Sequence, residues 1–378
     1  MTSAKGLDGV VVASTKVGHV FGEEGRLVYR GYDIGQLAAK ATFEEVCYLL
    51  WNGKLPNRQE LAQLNEQMRS QRALNDAAVA ALKGLPRSTV PMDALRTVVS
   101  AVGAADPIDG HPTQAQAIRL AAVFPTIVAG FYRHSQGKDL VPPDRTLSHA
   151  ANYLYMLTGE QPPQNHVASL DTYLVLLADH GMNASTFTCR VIASTESDIC
   201  SSIVGGIGAL KGPLHGGAPA LVMDMLDAIR ARPEADTNAK IRAYVDQTLA
   251  SHGKLMGFGH RVYRTTDPRA EILREMARQA STPEFFALAR GTEDYAIEAL
   301  NRDKPGRRLY TNVEFYSAAV LGSVGLPREY FPATFAVSRV AGWTAHVLEQ
   351  MEANRLIRPQ SEYEGPQGKQ FQPVDLRA

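Results

Sequence analysis

Three short segments in the second half of the chain each set an ionisable side chain beside small or backbone-shaping neighbours: Leu210–Pro219 (LKGPLHGGAP), Gly257–Arg269 (GFGHRVYRTTDPR) and Asn312–Ser317 (NVEFYS). Between them they hold two imidazoles, His215 and His260, and one carboxylate, Glu314. A carboxylate can remove a proton from carbon, and imidazoles can hold the enolate oxygen that develops, with no metal ion required. Gly216 and Gly217 after His215 let backbone approach a ligand closely. Arg261, Arg264 and Arg269 follow His260, and guanidinium forks suit carboxylates and phosphates. The bland reading of that segment is a solvated basic face. Glu314, between Val313 and Phe315, would be raised in pKa if buried. Its bland reading is a helix-start acid with Asn312 as N-cap. His180 precedes Asn183 and Ser185, either of which could cap a helix whose first amides favour an anion. Taken alone, His180 reads first as a hydrogen-bonded core histidine. The wide separations of His180, His215 and His260 match no local metal-ligand motif.

The elements that position these groups read as helices almost throughout. Residues 10–30 alternate β-branched and polar positions around Gly22–Gly25, which predicts a small N-terminal hairpin. Thr42 and Glu45 form a capping-box signature ahead of a helix that stops near Gly53. Helical patterns follow at 57–83, 91–104, 113–135, 144–158 and 166–178, and at 237–252 and 268–280. No run suits a parallel sheet, so the fold class is mainly α. The stretch 199–212 carries three internal glycines, each costing a helix about 1 kcal/mol relative to alanine. Very close helix or subunit packing would offset that. A nucleotide loop is the competing idea, but Lys211 and Leu210 stand where its glycines belong. Between about 220 and 325 the composition becomes more charged, and after Pro327 it turns apolar again. This pattern predicts a smaller domain, 219–325, set into a larger one made of 1–218 and 326–378. The last 20 residues read as a polar tail.

With 378 residues, two domains are the default expectation. Lys plus Arg and Asp plus Glu both total 39, so no global field draws nucleic acid or an anionic membrane. Any anion selectivity must come from locally placed arginines. Cys47, Cys189 and Cys200 show no CxxC or zinc spacing, which predicts buried thiols in a reduced, cytoplasmic protein. The opening MTSAKGLDG has no apolar signal core, so export is not expected. The run Leu120–Tyr132 is interrupted by Pro125 and is too short to span a bilayer; it predicts a buried core helix.

Taken in order, these segments resemble the citrate synthase family. Gly6–Ser14 (GLDGVVVAS), Leu27–Ile34 (LVYRGYDI) and Phe43–Pro56 (FEEVCYLLWNGKLP) are similar to its N-terminal region. Asp179–Thr186, the three segments above and Phe335–Pro359 are similar to its ligand-binding parts. The resemblance covers essentially the whole chain. It implies a two-domain helical homodimer of the short bacterial and archaeal type, cytoplasmic, with no permanently bound cofactor or metal. It implies condensation of acetyl-CoA with oxaloacetate to citrate and CoA, the entry step of the tricarboxylic acid cycle. Carried over residue by residue, Glu314 is the base, His215 holds the thioester oxygen and His260 polarises the oxaloacetate carbonyl. His180, Arg269 and Arg339 match positions that hold oxaloacetate. Arg358 matches an arginine reaching into the partner's site. Coenzyme A is implied along Leu255, Met256, Gly257, Phe258 and Gly259, with Arg261, Arg264, Arg307 and Asn312 near it.

Two positions depart from the family pattern. Its N-V-D segment carries aspartate where Glu314 stands, and many members carry glutamate where Gly181 follows His180. A 2-methylcitrate synthase using propionyl-CoA is the nearest alternative. A catalytically weak regulatory relative that binds CoA or a dicarboxylate is the alternative of another class, supported by Glu314 alone. A purely structural helical scaffold has no use for this arginine placement.

Overall fold

The computed structural model describes residues 5–7, 9–106, 111–216, 218–259, 263, 265–303 and 309–377. His260, Arg261, Arg264 and Arg307, all expected at the site, lie outside the described residues. The chain opens on a three-stranded antiparallel meander, β1 (Gly18–Phe21), β2 (Arg26–Tyr29) and β3 (Tyr32–Asp33). The expected hairpin is its first half, with Gly18 opposite Tyr29 and Phe21 opposite Arg26 across the 22–25 turn.

Helices make up the rest. The first are α1 (Ile34–Lys40), α2 (Phe43–Asn52), α3 (Arg58–Ser70), α4 (Asp76–Gly84), α5 (Pro91–Ala105) and α6 (Gln114–Ser135). Then come α7 (His149–Thr158), α8 (Gln164–Leu177), α9 (Ala184–Ser194), α10 (Ile199–Lys211) and α11 (Ala218–Arg230). The last are α12 (Thr237–Ala250), α13 (Pro268–Ala280), α14 (Pro283–Asp303), α15 (Val313–Ser323) and α16 (Phe331–Glu352). Thr42 and Glu45 close the predicted capping box on α2, and Gly53 ends that helix in the left-handed region. One expectation is corrected: 57–83 is two helices, because Asn75 caps a new one through the Ala78 amide.

Helix α6 follows the helical pattern expected at 113–135 and contains the apolar run Leu120–Tyr132. By length and composition it could cross a membrane, yet most of it is buried against the protein's own helices. α16 runs through the centre and packs on α2, α6, α8, α9 and α10. Helices α11 to α15 pack mainly on one another, while α8 meets both α13 and α15. All three cysteines are free and buried.

The glycines of α10 divide by face. A Cβ on Gly206 would lie 2.5 Å from Cys189 Sγ and 3.3 Å from the Trp343 ring, and one on Gly205 would collide with Ile192. Only a residue without a side chain lets α10 approach α9 and α16 this closely. Gly208 faces open space. Helix packing, not a nucleotide loop, explains the first two.

Candidate active site

The segment bearing Glu314 is built from two chain stretches stitched edge to edge. Phe258 and Thr311 form an antiparallel bridge, Gly259 N donates to Tyr310 O (2.8 Å) and Asn312 N donates to Gly257 O (2.9 Å). Asn312 also donates from its side chain to Gly259 O (3.1 Å) and accepts from Glu314 N (3.2 Å), so it is the N-cap of α15. Gly257 has φ +83°, and a Cβ there would lie 2.7 Å from the Phe315 ring. That combination admits only glycine. Three residues nominated for CoA contact, Gly257, Gly259 and Asn312, therefore also set the entry of α15.

Glu314 keeps some surface exposed, but its carboxyl is surrounded deeply enough that its pKa is raised. Lost hydration is the leading cause; Arg269 and Arg339 oppose it, and Asp267 reinforces it. The side chain thus sits in a basic, poorly hydrated setting. Arg269 is 2% exposed and grips Asp267 with both arms of its fork, Nε to Oδ1 at 3.0 Å and Nη2 to Oδ2 at 2.8 Å. Burial works against its charge, but Asp267 more than restores it. Arg339 is equally buried and donates from Nε to Leu177 O at 2.8 Å, with its guanidinium over the Phe335 ring. Burial pulls it down to about 10, so it remains a cation at neutral pH. Among the described residues no carboxylate pairs with it, so its charge is available to an anionic ligand.

His180 stands in the turn between α8 and α9, its ring 5.7 Å from that of Tyr263 in an edge contact. Asn183, not Ser185, caps α9 by accepting from Thr186 N (3.1 Å). That frees Ser185 for another task. Its hydroxyl accepts from Trp343 Nε1 (3.0 Å) and lies 2.8 Å from both Asn183 Oδ1 and His215 Nε2. The hydroxyl has a single proton and two acceptors within reach, Asn183 Oδ1 and His215 Nε2, so the direction of the His215 bond follows the imidazole tautomer. His215 itself is half-buried in the turn after α10. Gly181 has φ +58°, and a Cβ there would meet only ordinary contacts at 3.9 Å, so backbone conformation rather than crowding favours glycine.

One face of α16 ties these groups together. Arg339, Trp343 and His346 lie at helical spacing, and in turn they reach Leu177 O, Ser185 Oγ and Asp179 Oδ1. The sequence reading picked out Arg339 alone. Ser185 was read there only as a possible cap, and Trp343, Asp179 and His346 were given no role, although a tryptophan and a histidine at this spacing in a largely apolar helix were a signal. Arg358 stands apart from the others, exposed on the segment after α16. That segment is held to the end of α9 by Ile357 N donating to Ser194 Oγ (3.0 Å).

A poorly hydrated carboxylate under the electrostatic influence of two fixed guanidinium groups, with a histidine hydrogen-bonded to a fixed hydroxyl, suits a helical enzyme built to move protons on an anionic substrate. The family model described as citrate synthase, C-terminal domain, matches residues 6–360. Citrate synthase from Deinococcus radiodurans is 42% identical, over 99% of this chain and 98% of its own length. The protein named 2-methylcitrate synthase 2 from Corynebacterium glutamicum is 40% identical, over 99% and 97%. The solved ternary complex of citrate synthase from Thermoplasma acidophilum, with carboxymethyl coenzyme A and oxaloacetate, superposes with a TM-score of 0.91 at 32% identity, covering 99% of both chains. The chain belongs to the citrate synthase family, and is an acyltransferase of the kind that family comprises.

Proposed function

We propose that the chain condenses acetyl-CoA with oxaloacetate and hydrolyses the resulting citryl thioester to citrate and CoA. The observation that carries this reading is that Glu314, raised by burial, lies under the electrostatic influence of the buried cations Arg269 and Arg339. A base of raised pKa is better matched to a weakly acidic C–H than an ordinary carboxylate. Glu314 takes a methyl proton from acetyl-CoA while His215 hydrogen-bonds the thioester oxygen. Ser185 meets the ring at Nε2, so Nδ1 is the nitrogen that donates to the thioester oxygen. His260, outside the described residues, polarises the oxaloacetate ketone that the enol carbon attacks. His180, Arg269 and Arg339 hold the dicarboxylate, and proximity to the enol lowers the barrier. The Thermoplasma complex with oxaloacetate and a CoA analogue supports this pair of substrates.

The residues 219–325 act as a small domain that closes over the site, with CoA along Leu255–Gly259 and near Arg261, Arg264 and Arg307. The remainder forms the large domain of a cytoplasmic homodimer, in which Arg358 completes the partner's oxaloacetate site. The mutual packing of α11 to α15 supports the division.

The 2-methylcitrate alternative rests on the Corynebacterium relative. One methylene changes binding by only about 1–3 kcal/mol, so either acyl chain fits the same machinery. Comparing kcat/KM for acetyl-CoA and propionyl-CoA with oxaloacetate separates them. Higher propionyl-CoA turnover reverses the substrate assignment, and no turnover with either ends the enzymatic reading.

A further inference from the structure

Asp179 is fully buried, yet nothing in the proposed reaction uses it. Its carboxylate accepts from Gly181 N (2.9 Å), bracketing His180 as the middle residue of a side-chain-closed turn. The other oxygen lies 3.2 Å from His346 Nε2. The crowding is tight: a Cβ on Gly18 would lie 2.5 Å from Asp179 Oδ2, and one on Gly342 would lie 2.7 Å from Oδ1. Tyr29 holds the same turn by its backbone, its hydroxyl donating to Asp179 O (2.9 Å).

His346 is buried too, and its other nitrogen, Nδ1, lies 3.2 Å from Arg190 Nη1. Arginine can only donate, so Nδ1 must accept. The proton of the imidazole then sits on Nε2, pointing at Asp179. Arg190 in turn pairs with Glu349 (2.7 Å) and donates from Nε to Gln350 Oε1 (3.0 Å). Glu349 accepts from the backbone of Lys16 (2.6 Å), just ahead of β1. Glu349 Oε2 lies 3.9 Å from His346 Nδ1, too far to compete with Arg190 for it.

We propose that Asp179 and His346 are a positioning pair for His180, with Arg190 fixing the histidine tautomer so that α16 aims the carboxylate that shapes the His180 turn. The inference rests on the reading that His180 holds oxaloacetate. A residue that works only by offering one donor and one acceptor is replaceable by any side chain with the same pair. Glutamine has it: its amide donates to Asp179 and its carbonyl accepts from Arg190. Methionine, of similar bulk, has neither a donor nor a matching acceptor.

The test compares the full-length wild type, His346→Gln and His346→Met for kcat, for the KM of oxaloacetate and of acetyl-CoA, and for thermal unfolding. The glutamine variant is expected within threefold of wild type in every constant. The methionine variant is expected to raise the oxaloacetate KM on the order of tenfold to a hundredfold, with the acetyl-CoA KM changed far less. A folded methionine variant with unchanged oxaloacetate KM overturns the proposal, as does a glutamine variant that is folded but raised in oxaloacetate KM. If methionine prevents folding, the glutamine variant decides alone on the same criterion. A wild type that condenses neither acyl-CoA with oxaloacetate sinks the functional reading instead. In that case oxaloacetate affinity of the same three proteins, measured calorimetrically, still tests the pair: loss in the methionine variant alone supports it, and equal affinity in all three overturns it.

Discussion

Ser185 Oγ lies 2.8 Å from His215 Nε2, and the same hydroxyl is fixed by contacts with Asn183 Oδ1 and Trp343 Nε1. The hydroxyl is thus placed to orient the His215 ring, as a carboxylate or carbonyl often does for a histidine. Ser185→Ala should lower kcat about tenfold, with smaller changes in either KM, because it removes one hydrogen bond that orients the ring. Steady-state kinetics with both substrates varied checks this. A wild-type kcat would detach Ser185 from the reaction.

Glu314→Gln should abolish condensation while leaving oxaloacetate binding intact, since the amide keeps the shape and loses the base. Glu314→Asp should cost on the order of 100-fold in kcat, because the site is built around the longer side chain and a misplacement near 1 Å has that effect. Calorimetric oxaloacetate binding alongside turnover separates the two contributions.

Burial raises the pKa of Glu314, so the acid limb of the kcat profile should fall above the ordinary glutamate range. Protonated Glu314 is no base, so activity rises with pH through its pKa and is lost below it. A limb at the pKa of free glutamate would contradict this assignment.

Asp171 on α8 supplies a stability test away from the site. It accepts from Phe43 N at the start of α2, beside Glu44, and its pKa is pushed up to about 7, first by burial and then by Glu44. A raised acid pKa means that the folded protein holds a proton the unfolded chain has released, so stability falls as pH rises from about 4 to about 7. Asp171→Asn should therefore raise Tm at pH 8 more than at pH 4.5. Equal shifts at both values would contradict the raised pKa of Asp171.

Arg358→Ala should weaken oxaloacetate binding, and mixing it with Glu314→Gln subunits should restore activity in heterodimers, each of which rebuilds one complete site. Failure of complementation, with both parents folded, would count against a site shared between subunits.

Much of the architecture was legible in the chain because it is local. The Thr42–Glu45 box, the left-handed stop at Gly53 and the Asn312 cap are encoded by residues within a few positions of one another. Glycine spacing in 199–212 already excluded a phosphate loop, and the side-chain-free contact of Gly206 with Cys189 and Trp343 supplied the reason for it. The break between α3 and α4 was missed because Asn75 sits inside an otherwise continuous helical pattern. What the sequence determined by itself was the set of ionisable groups and the helical frame, since residue type and periodicity are enough for both. Tertiary structure alone decided that Ser185 serves His215 while Asn183 takes the cap, and that His346 faces Asp179 from 167 positions away. Those outcomes depend on which face of α16 meets the turn between α8 and α9, a matter of long-range packing that no local spacing records.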